Sequence, residues 1–149
     1  DQFRDRICKE VGRELPGEEI DQIWNAMLKD IPDYKFELLL KLQENYKLYL
    51  LSNTNDLHWE HCADKFVYKG MQMLGCFTRV FLSYQMHLAK PDAEIFRTVL
   101  KEAGIKAEET LFVDDSKDNC QAASLLGIKV FHYVPGDNLE IQLQNFISK

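Results

Sequence analysis

Apolar residues in the first 45 positions recur at three- and four-residue intervals. Phe3, Ile7 and Val11 fall on one helical face, and Ile20, Ile23, Trp24, Met27 and Leu28 repeat at the same spacing. Leu15-Pro16-Gly17 separates the two runs. Glu18, Glu19 and Asp21 follow in the first turn of the second helix, where carboxylates suit the positive helix end. A third helical run extends from Phe36 to Gln43 through Leu39, Leu40 and Leu42. Trp24 and its neighbours are read as a stripe facing the core, with an exposed binding surface as the alternative.

From Tyr46 the pattern changes. "KLYLLSN" (47–53) is a short β-type run, followed by a helical stretch over 56–68. "RVFLS" (79–83) is a second strand, and 92–104 is a helix that Gly104 can close. "TLFVD" (110–114) is a third strand, 118–127 a helix ended by Gly127, "IKVFHYV" (128–134) a fourth strand, and 139–147 a last helix. Short apolar strands alternating with helices predict the α/β class, a Rossmann-like parallel sheet with helices on both faces. The segment "KGMQMLGCF" (69–77) reads equally as a loop near a site or as an irregular patch of core. No internal repeat or low-complexity tract is present.

Composition narrows the function classes. A chain of 149 residues with 46% hydrophobic and 28% charged positions fits one domain, or a core with a small appendage. The net charge of −6, with no Lys/Arg run, argues against nucleic acid as a partner. No apolar segment approaches the length of a membrane span, and no secretory leader is recognisable. Cys8, Cys62, Cys76 and Cys120 stand far apart without a C-x-x-C pair, as expected for reduced thiols of a cytoplasmic protein. The sequence enters a helix directly at Asp1, so a piece of something longer is expected.

In a parallel sheet the C-terminal strand ends share one edge, where ligands bind. Past those ends stand Ser52-Asn53-Thr54-Asn55, then Lys90-Pro91-Asp92, then Asp114, Asp115, Ser116, Asp118 and Asn119. A hydroxyl, an ammonium and N–H groups at a helix start can hold a phosphate. Adjacent carboxylates repel unless a cation sits between them, and Mg²⁺ prefers such hard oxygen ligands. Together they describe Mg²⁺-assisted phosphoryl transfer.

Each element also has a plainer reading. Ser52-Asn53 can be a turn or helix cap, Lys90 a solvated loop residue, and Asp114-Asp115-Ser116 a helix N-cap. Their order along an alternating β/α pattern favours the site. His58, His61 and Cys62 lie at helical spacing that could face a metal, although Trp59, Ala63 and Phe66 fit an ordinary packed helix better. His87 and His132 are expected in surface or loop roles.

These segments resemble the haloacid dehalogenase superfamily of phosphohydrolases. "LYLLSNTN" is similar to its second motif, "AKPDAEIF" to its third, and "LFVDDSKDN" followed by "AASLLGI" to its acidic fourth. The resemblance covers about 46–134. The helical residues 1–45 resemble part of the small cap that one branch carries between its first and second motifs, leaving 46–149 as the α/β core. It implies that Ser52 bonds the phosphoryl oxygens, that Asn53 orients substrate or phosphate, and that Lys90 neutralises both the phosphate and the nucleophilic carboxylate. It further implies Asp115 as a Mg²⁺ ligand, Asp114 as support for Lys90 or the metal's water shell, and Asn119 as a partner of that shell. Asp118 is less defined and suits the helix start.

One family feature is missing. The first motif, D-x-D at the end of a central strand, supplies the nucleophile and the general acid/base, and no such motif occurs here. The resemblance places that strand between those ending at Ser52 and Asp114, so its loss leaves two open inner edges. The chain is therefore expected to be the C-terminal piece of a longer phosphatase, inactive alone. Its expected substrate is a small phosphorylated metabolite such as a sugar phosphate. Two alternatives stand beside this: a non-catalytic binding or regulatory module, and a dehalogenase, which needs no Mg²⁺ and has small polar residues in place of Asp114-Asp115.

Overall fold

The structure, a computed structural model, describes residues 2–25 and 30–147. Its helices are α1 (Gln2–Val11), α2 (Gly17–Asn25), α3 (Asp33–Gln43), α4 (Asp56–Ala63), α5 (Ser83–Met86), α6 (Ala93–Ala103), α7 (Lys117–Ser124) and α8 (Leu139–Ile147). Its strands are β1 (Leu48–Ser52), β2 (Val67–Tyr68), β3 (Met71–Gln72), β4 (Phe77–Leu82), β5 (Leu111–Asp114) and β6 (Lys129–His132). Met27 and Leu28, and the side chains of Phe3, Ile23 and Trp24, lie outside the described part, and with them most of the predicted stripe.

The main sheet consists of two parallel pairs. β1 runs beside β4, with Ser52 opposite Leu82, and β5 runs beside β6, with Asp114 opposite His132. Among the described residues β1 and β5 do not pair with each other. Their inner edges show it: no residue of β1 is fully buried, and Val113 in β5 is exposed. A central strand of a covered parallel sheet would be buried on both faces.

One core spans both pairs. Ile95 and Phe96 of α6, Ala123 of α7 and Ile128 form its buried centre, and Leu51 of β1, Phe112 of β5 and Val130 of β6 pack against it. The opposite face is taken by α3, which lies on β1 and on α8, and by α8, whose Phe146 meets Phe131 of β6. Helices thus cover both faces of a parallel α/β sheet. α3, within the segment read as cap, packs directly on the sheet, while α1 contacts α2 and α2 contacts α4.

The helix predicted over 56–68 stops at Ala63, and the chain turns into the β2–β3 hairpin. Tertiary packing explains the early stop. Tyr68 stacks on Phe36 of α3 with ring centroids 5.7 Å apart, its hydroxyl donates to Glu37, and Met73 is buried in the same cluster. The turn at Lys69 and Gly70 takes positive φ at both residues, as tight hairpins require. The segment 69–77 is therefore divided, with an exposed turn followed by a buried Met73. The strand predicted over 79–83 starts earlier, at Phe77, and yields to α5 at Ser83.

Candidate active site

Three helices begin where the sheet edge ends, and each is capped by a side chain from the edge loops. Asn55 accepts from the His58 N–H at the start of α4, Asp92 from the Glu94 N–H at α6, and Ser116 from the Asn119 N–H at α7. The cap readings of these polar residues thus hold alongside any chemistry. They also aim three positive helix ends at one region.

Lys90 and Asp114 occupy the middle of the edge. The Lys90 ammonium donates to Asp114 Oδ2 at 2.7 Å and to the Leu51 carbonyl of β1 at 3.0 Å. Only about a tenth of either side chain is exposed, at 10% and 8%. One ammonium therefore bridges the ends of β1 and β5, which brings both strand pairs to a common edge. Its Nζ also lies 5.5 Å from the Phe112 ring centre, close enough for a cation–π contribution.

The other oxygen of Asp114 is occupied too. Asp114 Oδ1 accepts from the Ser116 N–H at 2.9 Å and from the Asn119 amide at 3.0 Å. Burial pushes the Asp114 carboxyl up, but hydrogen bonds from Lys90, the Ser116 N–H and Asn119, with the charge of Lys90, outweigh it. They hold the carboxyl below the usual range and keep it ionised. These three hydrogen bonds make it a fixed anion rather than a free ligand.

Asp115 is different. It is exposed, and its carboxylate makes no hydrogen bond or ion pair with another described residue. Its backbone carbonyl lies 3.0 Å from His132 Nε2, and since a carbonyl only accepts, that nitrogen carries the hydrogen. The Ser52 hydroxyl, at the end of β1, is likewise unengaged among the described residues. Asp118 sits in the first turn of α7.

Asn53, expected to orient substrate or phosphate, bonds the main chain of Lys90. Its Oδ1 accepts from the Lys90 N–H at 2.9 Å and its Nδ2 donates to the Lys90 carbonyl at 2.8 Å. Ser83, at the end of β4, grips Thr54 in the same way, accepting from its N–H at 3.0 Å and donating to its carbonyl at 2.9 Å. Ser83 and His132 were both missed from sequence. A signal existed for Ser83: "VFLS" ends an apolar strand in serine just as "YLLS" does.

A Mg²⁺ ion fits this donor set only in part. Asp115 offers an unengaged carboxylate, and Asn119 retains its amide oxygen while its nitrogen serves Asp114. Among the described residues no group of three or more His, Cys, Asp or Glu side chains is gathered to hold a metal, at this edge or around His58, His61 and Cys62. Mg²⁺ commonly takes one or two protein carboxylates and fills its remaining positions with water and phosphate oxygens. The residues present suit that mode through Asp115 and Asn119.

The fold, with this edge, is of the haloacid dehalogenase type. The chain belongs to the haloacid dehalogenase-like hydrolase family, whose model matches residues 4–127. It is 35% identical over 133 residues to a D-ribitol-5-phosphate phosphatase of Bacteroides thetaiotaomicron, an alignment covering 88% of this chain and 64% of that protein. The chain thus spans somewhat under two thirds of that relative's length. Among solved structures, a HAD family enzyme of B. thetaiotaomicron, an aspartate-to-alanine variant in complex with magnesium and inorganic phosphate, matches with a TM-score of 0.89 and 44% identity. That match covers 94% of this chain and 72% of that one. A predicted HAD-like family hydrolase from Porphyromonas gingivalis matches with a TM-score of 0.85 and 30% identity, covering 99% of this chain and 72% of its own.

Proposed function

We propose that this chain is the larger part of a Mg²⁺-dependent phosphohydrolase that cleaves phosphate monoesters of small metabolites, sugar or polyol phosphates first. The observation that carries the reading is the Lys90 ammonium, held between Leu51 and Asp114 at the edge where Ser52 and Asp115 also stand. A buried cation so placed, at an edge with a hydroxyl and a carboxylate unengaged among the described residues, suits a dianionic phosphoryl group and its counter-ion.

Each residue then has a task. Ser52 donates to a phosphoryl oxygen. Lys90 offsets the charge of the phosphoryl group and of an attacking carboxylate as they approach. Asp114 keeps Lys90 charged and in place, and Asn119 steadies Asp114. Asp115 would hold Mg²⁺, which when bound supplies charge neutralisation between carboxylates and phosphate.

The nucleophile is assigned to a strand outside these residues, lying between β1 and β5. The unpaired inner edges support this, as does the match to intact structures of which this chain covers 72%. An aspartate on that strand would displace the alcohol to give an acyl phosphate, which water then hydrolyses, releasing inorganic phosphate. On this reading α1 and α2 belong to a helical cap that selects the leaving group, while α3, which packs on β1 and α8, belongs to the core.

The name of the ribitol phosphate phosphatase relative favours a polyol or sugar phosphate. Phosphate release by the natural full-length product should be measured across pentitol, pentose, hexose and nucleoside phosphates with Mg²⁺. The highest kcat/KM is expected on a polyol or sugar phosphate. A clear preference for nucleotides would overturn the substrate assignment.

A further inference from the structure

The bridging lysine presents a problem of reach. Its side chain has four rotatable bonds, and it is carried on a loop that belongs to no strand. Confinement of its ammonium to one spot therefore depends on what fixes its main chain. We propose that Asn53 and Ser83 are positioning residues, which lock the Lys90 backbone and so set its ammonium on Asp114, and that neither touches substrate. The inference rests on the phosphohydrolase reading for its catalytic consequence, though not for its geometry.

One connected set of bonds runs from Ser83 to Asp114. Ser83 leaves β4 and grips both the N–H and the carbonyl of Thr54. That brackets the main chain immediately after Asn53. Asn53 in turn matches its carboxamide to both the N–H and the carbonyl of Lys90, the pairing a neighbouring strand would otherwise supply. Two bonds of opposite sense fix the amide plane and leave it poorly placed to orient anything else. Lys90 then reaches Asp114, and Asp114 is held by Ser116 and Asn119. The loop after β1 is thus tied to β4 through Ser83 and to β5 through Lys90. Because Ser52 adjoins Asn53, the hydroxyl and the ammonium are placed by the same loop.

The test uses the full-length natural protein and its Asn53→Ala, Ser83→Ala and Ser83→Thr variants. Acetylation of Lys90 by acetic anhydride, read by peptide mass spectrometry, reports whether the ammonium is sheltered. It should be slow in the native protein and rise severalfold in Asn53→Ala and Ser83→Ala. Turnover of p-nitrophenyl phosphate should fall in the same two variants, by up to roughly 10²-fold in kcat. Ser83→Thr keeps the hydroxyl and should stay near native in both readouts.

Reduced turnover in Asn53→Ala with unchanged Lys90 labelling would overturn the proposal, because Asn53 would then act on substrate itself. Unchanged labelling and turnover together would also overturn it. If Asn53→Ala does not fold, the contrast between Ser83→Ala and Ser83→Thr decides alone. A native protein without turnover would sink the phosphohydrolase reading, while the labelling would still decide the clamp.

Discussion

Lys90 and Asp114 form an ion pair at 2.7 Å that is nine-tenths buried on both sides and joins two pairs of strands that share no backbone hydrogen bond. A buried pair of this kind contributes little net stability over an apolar replacement, yet breaking it leaves an uncompensated charge. Stability alone therefore does not account for such a pair at a sheet edge.

Lys90→Met should therefore destabilise the full-length protein by about 3–5 kcal/mol, since Asp114 would remain ionised and buried without its cation. Adding Asp114→Asn should recover much of that loss. Urea denaturation of the two variants checks both statements, and a double variant no more stable than the single one would contradict them.

Asp115→Asn should behave in the opposite way. The carboxylate is exposed and unengaged among the described residues, so stability should stay within about 0.5 kcal/mol of native. The Mg²⁺ concentration for half-maximal turnover should rise by at least about tenfold, judged against the effect of losing an outer-shell partner. Isothermal titration with Mg²⁺ provides the same comparison without turnover.

Ile95 is fully buried at the centre of the core that both strand pairs share. Ile95→Ala should lower stability by about 2–5 kcal/mol through lost burial and a residual cavity. A loss under about 1 kcal/mol would mean that the core is not continuous across the two pairs.

Gly104 closes α6 at φ +65°, and a Cβ there would meet nothing within 4 Å. Gly104→Ala should still cost about 1–2 kcal/mol, because the left-handed conformation itself is unfavourable for an L-residue. Thermal melting of the variant reads this directly, and an unchanged melting temperature would show that the cap relaxes.

The strands and the helices over 92–104 and 139–147 were legible because apolar spacing and glycine caps are local signals. The meeting of Lys90, Asp114 and Asn119 was legible because residues past the strand ends of a parallel alternation share one edge. What escaped was partnership. Asn53 reaches a residue 37 positions away, Ser83 one 29 away and His132 one 17 away, and no local pattern encodes such pairings. The β2–β3 hairpin escaped for a related reason, since Tyr68 leaves its helical run to reach Phe36 of α3.

The central claim is that this edge is completed by a strand outside these residues to make a Mg²⁺-dependent phosphatase. The most direct test is the intact mass of the natural product, measured with its p-nitrophenyl phosphate turnover with and without Mg²⁺. A mass well above 17.4 kDa, with turnover that requires Mg²⁺, is the predicted result. A natural product of 17.4 kDa without turnover would contradict it and leave a phosphate-binding module in its place.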